Sequence, residues 1–215
     1  MKEYPKFQII GIKRMHLGID FDNTVVTYDR IFHKYALREQ LISCGVPKNK
    51  QKIRDKIRML PQGNERWTEL QALVYGCYMD EAEPAEGIRE FLELCKKKLV
   101  KVSIISHKTI YPAKGPRVNL RKAAIRWLRE KGFLSSKGLH LKDVIFVGTL
   151  KEKLMQIEKF KCTHFVDDLL EVLQHPDFPA EVGKIFYAPG GADKIPRGIQ
   201  CFRGWYDIQK YLFRT

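Results

Sequence analysis

Residues 16–24 read HLGIDFDNT, a short apolar run followed by two aspartates that are separated by one residue. The run His16–Ile19 predicts a strand buried on both faces, because such strands are short and almost continuously apolar. Side chains alternate along extended backbone, so the carboxylates of Asp20 and Asp22 point the same way. Mg²⁺ takes oxygen ligands, so this strand end is a candidate metal site. Taken alone, Asp-x-Asp is as typical of an acidic helix cap after a strand.

Four further apolar runs predict strands, and amphipathic helices alternate with them. The predicted strands are Leu99–Ile105, Val144–Val147, Thr163–Val166 and Lys184–Ala188. The predicted helices lie near residues 88–95, 119–132, 154–158, 169–173 and 206–212. This order predicts an α/β fold, with a Rossmann-like parallel sheet and helices on both faces. Ligands of such sheets bind outside the carboxyl ends of the strands.

Residues 29–83 interrupt this alternation, because they contain no convincing strand. Their apolar spacing predicts three helices: Ile31–Leu41 stopped by Gly45, Ile53–Leu60 stopped by Pro61, and Trp67–Cys77. We interpret the segment as a small all-helical cap inserted into the sheet domain. The predicted division is then 1–28 and 84–215 for the α/β core and 29–83 for the cap. The alternative is a longer crossover packed into the same core.

The other predicted strands also end in polar residues. The second ends at Ser106, which His107 follows, and Lys153 comes shortly after the third. The fourth ends in Asp167 and Asp168, two carboxylates that repel each other unless a cation or protons intervene. Each residue has an ordinary alternative: a turn serine, a surface lysine, or a helix-capping aspartate. Acidic groups at the ends of separate parallel strands are harder to explain in that way, since they meet at one edge of the sheet.

Taken together, these strand ends resemble the motifs of the haloacid dehalogenase (HAD) superfamily of phosphotransferases. LGIDFDNTVV resembles the first motif, and VKVSIISHKT resembles the second, a hydrophobic strand ending in Ser or Thr. LKEKLMQIEKFKCTHFVDD is similar to the third and fourth motifs together. In it Lys153 precedes Asp167 by 14 positions, which suits the family pattern; Lys151 is a less favoured candidate. The resemblance covers Met15 to about Ala188.

The resemblance implies a role for each of these residues. Asp20 is the nucleophile that forms an aspartyl-phosphate, and Asp22 is the general acid and base. Asp20, the backbone carbonyl of Asp22, and Asp167 or Asp168 hold Mg²⁺. The substrate-binding residues are Asn23, Ser106, His107 and Lys153, of which Ser106 and Lys153 also act in catalysis on the phosphoryl oxygens. The dehalogenase branch lacks a carboxylate where Asp22 stands, so the resemblance favours phosphate esters over carbon–halogen bonds.

We therefore expect an Mg²⁺-dependent phosphomonoester hydrolase acting on a small phosphorylated metabolite, such as a sugar phosphate or a nucleotide. A formal charge of +14, from 39 Lys and Arg against 25 Asp and Glu, keeps a polynucleotide end phosphatase as an alternative. We find no nucleic-acid-binding motif to strengthen that alternative. A non-catalytic interaction module on the same fold is the third reading.

The remaining composition bears on location. Five widely spaced cysteines, an odd number without a Cys-x-x-Cys pair, favour the reducing cytoplasm. We find no apolar run of membrane-spanning length and no secretory signal, so we expect no membrane partner. The leaving half of the substrate, the oligomeric state, the pathway, and the roles of residues 1–14 and of the basic loop 107–121 do not follow from the sequence.

Overall fold

The parallel sheet organises the fold. The computed structural model describes residues 15–135 and 139–214, and the open question about residues 1–14 lies outside them. The strands are β1 (His16–Ile19), β2 (Val26–Thr27), β3 (Glu83–Pro84), β4 (Lys101–His107), β5 (Val144–Val147), β6 (His164–Asp167), β7 (Gly183–Tyr187) and β8 (Ile199–Phe202). The helices are α1 (Asp29–Arg38), α2 (Lys50–Arg58), α3 (Gly63–Ala72), α4 (Ile88–Lys97), α5 (Leu120–Glu130), α6 (Leu150–Lys159), α7 (Leu170–Leu173) and α8 (Trp205–Phe213). A π-helical turn (Leu73–Cys77) and two 3₁₀ turns (Met79–Glu81 and Leu141–Asp143) complete the elements.

Six strands form one parallel sheet in the order β5-β4-β1-β6-β7-β8, which confirms the predicted α/β class. The first strand lies inside the sheet, with Ile19 opposite Ile104 of β4 and Val166 of β6. The chain builds outward from β1 in both directions, so the strand order reverses there. A reversal of this kind opens a crevice at the carboxyl ends of the strands, where ligands bind.

The structure corrects two predicted boundaries and adds one strand. The first helix ends at Arg38 rather than near Gly45, because Gln40 adopts a left-handed backbone with φ of 55°. The second predicted strand begins at Lys101, since Leu99 has φ of 56° and is 89% exposed. The edge strand β8 was not predicted at all. It is four residues long and carries an exposed Gln200, so it lacks the continuous apolar run of a buried strand.

The helices α1, α2 and α3 form the predicted helical segment, and β2 and β3 pair antiparallel where the chain enters and leaves it. The segment is packed closely on the sheet domain. Phe32 and Trp67 stack with ring centroids 4.8 Å apart, and they belong to the same buried apolar cluster as Leu17 and Ile19 of β1. The division of the chain into a core and a separate cap stays a prediction.

No helix in the described ranges has the length and hydropathy needed to cross a membrane.

Gly18, in the middle of β1, leaves room for the side chain of Phe165 on the neighbouring strand β6. A Cβ atom at this position would lie 2.5 Å from Phe165 Cδ2 and 2.9 Å from Cys162 Sγ, two buried side chains. We expect Gly18→Ala to lower the free energy of unfolding by about 1–3 kcal/mol, because overpacking forces neighbouring side chains out of place. Thermal unfolding should show a melting temperature lower by roughly 3–10 °C.

Gly190→Ala is the matched control, because a Cβ there has no neighbour within 4 Å. Its melting temperature should stay at the wild-type value. Equal melting temperatures for both variants would show that the packing at Gly18 adapts freely.

Candidate active site

Three carboxylates meet at the carboxyl edge of the sheet. Asp20 follows β1, Asp167 ends β6, and Asp168 is the next residue. Each of the three offers an oxygen within 4.8 Å of the other two. Asp20 and Asp167 are buried and Asp168 is partly buried. Hard oxygen donors gathered in this way suit Mg²⁺, which prefers carboxylate and carbonyl ligands, so these residues fit the predicted ion.

Lys153 joins two of these carboxylates. It lies in the first turn of α6. Thr149 caps the start of this helix, because its side chain accepts a hydrogen bond from the backbone of Glu152. Lys153 Nζ donates to Asp20 Oδ1 at 2.5 Å and to Asp167 Oδ2 at 2.7 Å. The side chain of Lys153 is only 2% exposed, whereas Lys151 is exposed on the same helix. Lys153 is therefore placed to hold Asp20 in position and to bind a phosphoryl oxygen.

The pKa values of the three grouped carboxyl groups, those of Asp20, Asp167 and Asp168, are raised. Burial is the largest cause for each, and it raises the pKa of Asp20 although Lys153 opposes it. Burial, opposed by Lys153 and reinforced by the charge of Asp20, raises the pKa of Asp167 to about 7. Burial and the charges of Asp20 and Asp167 raise the pKa of Asp168 to about 8. The charge of Lys153, with that of Lys50 acting on Asp168, is thus too little positive charge for this cluster, and a divalent cation would remove the deficit.

Asp22 lies in a different environment, and its side chain is outside the group of three carboxylates. Its two oxygens accept hydrogen bonds from Lys108 Nζ at 2.9 and 2.7 Å, and Tyr28 Oη donates to Oδ1 at 2.5 Å. Burial raises the pKa of Asp22, but Lys108 and Tyr28 together outweigh it and lower the pKa. The same pair of contacts fixes the orientation of the carboxylate.

The other predicted site residues divide into two groups. Ser106 is buried near the end of β4, and its hydroxyl favours the ionised form of Asp20. Asn23 has a left-handed backbone with φ of 58°, and its Nδ2 donates to Asp168 Oδ2 at 3.0 Å. His107 is exposed, and within residues 15–135 and 139–214 no hydrogen bond joins its side chain to this cluster. The structure therefore does not bring His107 into the site.

Sequence reasoning overlooked Lys108, Tyr28 and Lys50. Lys50 Nζ donates to Asn23 Oδ1 at 3.2 Å, from the start of α2 in the helical segment. Lys108 stands two residues after Ser106, so its position beside a predicted catalytic strand end was an available signal. Lys50 carries no such signal, because its helical segment reaches the site only through tertiary packing. Tyr28 stands six residues after Asp22, just before that segment, and its hydroxyl carries no motif of its own.

The basic loop 107–121 is tied to its surroundings. Lys114 Nζ lies 2.6 Å from Glu65 and 3.4 Å from Glu69, both on α3. Arg121 Nε donates to the backbone oxygen of Lys108 at 2.8 Å. The charges of this loop thus serve largely to hold it against the helical segment and to position Lys108.

In the absence of divalent metal, the free energy of unfolding should fall as pH rises. A raised carboxyl pKa means that the folded protein keeps protons which the unfolded chain has released, so stability is lost as pH rises through the folded pKa values of about 7 and 8. In EDTA we expect the melting temperature to fall between pH 6.5 and 8.5. Mg²⁺ should raise it more at pH 8.5, by about 5 °C or more at 100-fold excess over its Kd. Differential scanning calorimetry measures both effects.

Asp168→Asn provides the control, because it removes one repelling carboxylate without changing the size of the side chain. The metal-free variant should show a flatter dependence of melting temperature on pH and a smaller gain from Mg²⁺. A metal-free wild type whose melting temperature rises from pH 6.5 to 8.5 would contradict the assignment of these carboxyl groups.

Comparison with solved structures identifies the fold. A HAD-superfamily hydrolase from Ehrlichia chaffeensis superposes with a TM-score of 0.53 at 16% identity, covering 94% of this chain and 97% of that one. The putative HAD-hydrolase YfnB from Bacillus subtilis, bound to magnesium, has a TM-score of 0.60 at 11% identity, with 94% and 99% covered. A HAD family hydrolase from Deinococcus radiodurans R1, with bound phosphate and sodium, has a TM-score of 0.59 at 11% identity, with 94% and 96% covered.

No protein-family model matches the sequence, and no curated protein matches it either. The chain therefore shares the fold of HAD-superfamily hydrolases, and the likeness is one of structure rather than of close sequence.

Proposed function

We propose that this chain is an Mg²⁺-dependent phosphomonoester hydrolase in which Asp20 is the covalent nucleophile. The observation that carries the proposal is the placement of Asp20. Its buried carboxylate lies at the carboxyl edge of β1, bonded to Lys153 and grouped with Asp167 and Asp168. The fold supports it, since similar structures are those of hydrolases, one with magnesium and another with phosphate bound.

Asp20, the backbone carbonyl of Asp22, and Asp167 or Asp168 would hold the ion. When bound, Mg²⁺ supplies the positive charge that lets an anionic carboxylate approach an anionic phosphate. The structure groups the side chains of both Asp167 and Asp168 with Asp20, so either can complete the site.

The reaction proceeds in two steps. A carboxylate oxygen of Asp20 attacks phosphorus, the bond from phosphorus to the leaving oxygen breaks, and Asp22 gives that oxygen its proton. Asp22 then takes a proton from water, which attacks the aspartyl-phosphate and releases inorganic phosphate and free Asp20. Lys153 and Ser106 bind the phosphoryl oxygens in both steps. The lowered pKa of Asp22 suits the second step, in which the ionised carboxylate is the base, and opposes the first step, in which Asp22 must carry a proton.

The substrate class follows from enclosure. Asp20, Ser106, Lys108, Lys153 and Asp167 are all buried, and the helical segment reaches the site through Lys50, which donates to Asn23, and through Tyr75, whose ring lies beside Lys108. An enclosed site of this kind excludes bulk water and suits a small phosphorylated metabolite that enters when the helices move as a cap. Lys108 and Arg121 of loop 107–121 are engaged within the protein, so part of the loop's charge is not open to a nucleic-acid backbone.

Asp20→Asn should abolish turnover of 4-nitrophenyl phosphate in Mg²⁺. We expect kcat to fall about 1,000-fold or more, because an amide oxygen is a poor nucleophile for phosphorus. Release of 4-nitrophenolate is followed by absorbance, with EDTA as a second way to stop the reaction. Asp193→Asn, an exposed aspartate outside the site, should keep wild-type kcat. Equal rates for wild type and Asp20→Asn would favour a non-catalytic interaction module.

A further inference from the structure

Lys50 carries a positive charge at the site without a carboxylate partner. Its Nζ donates to Asn23 Oδ1, a neutral amide oxygen. In the described part of the chain, no carboxylate oxygen lies within 4.0 Å of this nitrogen. Lys108 and Lys153, by contrast, are paired directly with aspartates. Lys50 therefore acts on the nearby carboxylates of Asp22 and Asp168 without forming a direct ion pair with either.

Local structure holds Lys50 in place. It is the first residue of α2, after Asn49, whose side chain accepts from the backbone of Lys52 at 3.0 Å. The backbone N–H of Lys50 donates to Asp29 Oδ1 at 2.8 Å. Its Nζ lies 5.5 Å from the ring centroid of Tyr75 and 5.8 Å from that of Phe32. The ammonium is thus confined by the helix start and by two aromatic rings.

Lys50 stays charged and close to the reacting groups. Burial lowers its pKa, but the Tyr75 hydroxyl and the carboxylates of Asp22 and Asp168 outweigh burial and raise it. The side chain of Asn23 links the ammonium to Asp168 through two hydrogen bonds. Lys108 Nζ lies 5.1 Å from the Tyr75 ring centroid, so this one aromatic ring is near both Lys50 and Lys108.

We propose that Lys50 binds a second anionic group, carried by the leaving half of the substrate. Lys50 belongs to the helical segment, whereas Asp20 follows a strand of the sheet. An anion held by Lys50 therefore lies across the site from the transferred phosphoryl group. An ammonium with unused donors forms strong charge-assisted hydrogen bonds with such a group. The substrate class is a small phosphomonoester that also carries a carboxylate or a second phosphate.

This proposal rests on the proposed phosphatase function. Pairs of probes, in which only one member carries a second anionic group, test the anion site separately from the phosphatase activity. The carboxylate pair is 4-carboxyphenyl phosphate and its carboxamide, 4-carbamoylphenyl phosphate. The phosphate pair is 1,3-propanediol bisphosphate and 3-hydroxypropyl phosphate. We expect wild type to favour the anionic member of at least one pair by about tenfold or more in kcat/KM, the size of one charge-assisted hydrogen bond. The pair that shows the preference identifies the chemistry of the second anion.

Three variants test the residue. Lys50→Met should bring the ratio of kcat/KM between the anionic and neutral probes close to one. Lys50→Arg should keep much of the wild-type ratio, because the charge is kept. Lys56→Met is the matched control, since Lys56 is an exposed lysine on the same helix, and it should keep the wild-type ratio. A ratio near one in wild type, or a ratio unchanged in Lys50→Met, would overturn the inference.

Calorimetry on the Asp20→Asn variant with Mg²⁺ makes the result independent of turnover. Tighter binding of the anionic probes, lost when Lys50→Met is added, supports the anion site even if wild type hydrolyses none of them. That combination would reject the phosphatase and keep the anion site. Hydrolysis of both members of each pair, with equal affinity for them, would reject the anion site and keep the phosphatase.

Discussion

The sharing of one buried ammonium between Asp20 and Asp167 is the interaction on which the site depends. Burying a charged group away from water is strongly unfavourable unless it is paired and hydrogen-bonded. Lys153 meets that condition for two carboxylates that are far apart in the sequence: Asp20 follows β1, and Asp167 ends β6. The pairing requires that both strands and the start of α6 keep their relative positions. A change in the geometry of the sheet would therefore also change the geometry of the site.

The two aspartates of the first strand end have opposite electrostatic surroundings. Asp20 belongs to a cluster with excess negative charge, where burial and neighbouring carboxylates raise pKa values. Asp22, two residues on, is held by Lys108 and Tyr28, which lower its pKa. Such a separation suits the different roles that we propose for these two like residues, one as a ligand and nucleophile and the other as a proton carrier.

The helical segment completes the site rather than only covering it. Tyr28 precedes α1, Lys50 begins α2, and Tyr75 lies in the π-helical turn after α3. Their polar groups contact Asp22 or Asn23, or flank the lysines between the segment and the sheet. The grouped carboxylates therefore come from the sheet, and in the proposed function the helical segment supplies groups that would surround the leaving half of a substrate.

Several features could be predicted because they depend on local pattern. The apolar runs indicated five of the six strands of the parallel sheet, and the acidic residues after the first and fourth runs indicated which edge carries the chemistry. The edge strand β8 was not predicted, because a strand with one half-exposed face has no continuous apolar run. The end of α1 was misplaced because Gln40 takes a left-handed backbone without being glycine.

The sequence by itself determined the fold class and the side chains at the strand ends. The burial of a strand and the alternation of its side chains depend on residues that are neighbours in the sequence. Only the tertiary structure decided that Lys108 pairs with Asp22, that His107 faces outward, and that Lys50 reaches Asn23. The physical reason is range: a backbone pattern acts over a few residues, whereas these contacts form between segments brought together by packing of the helices on the sheet.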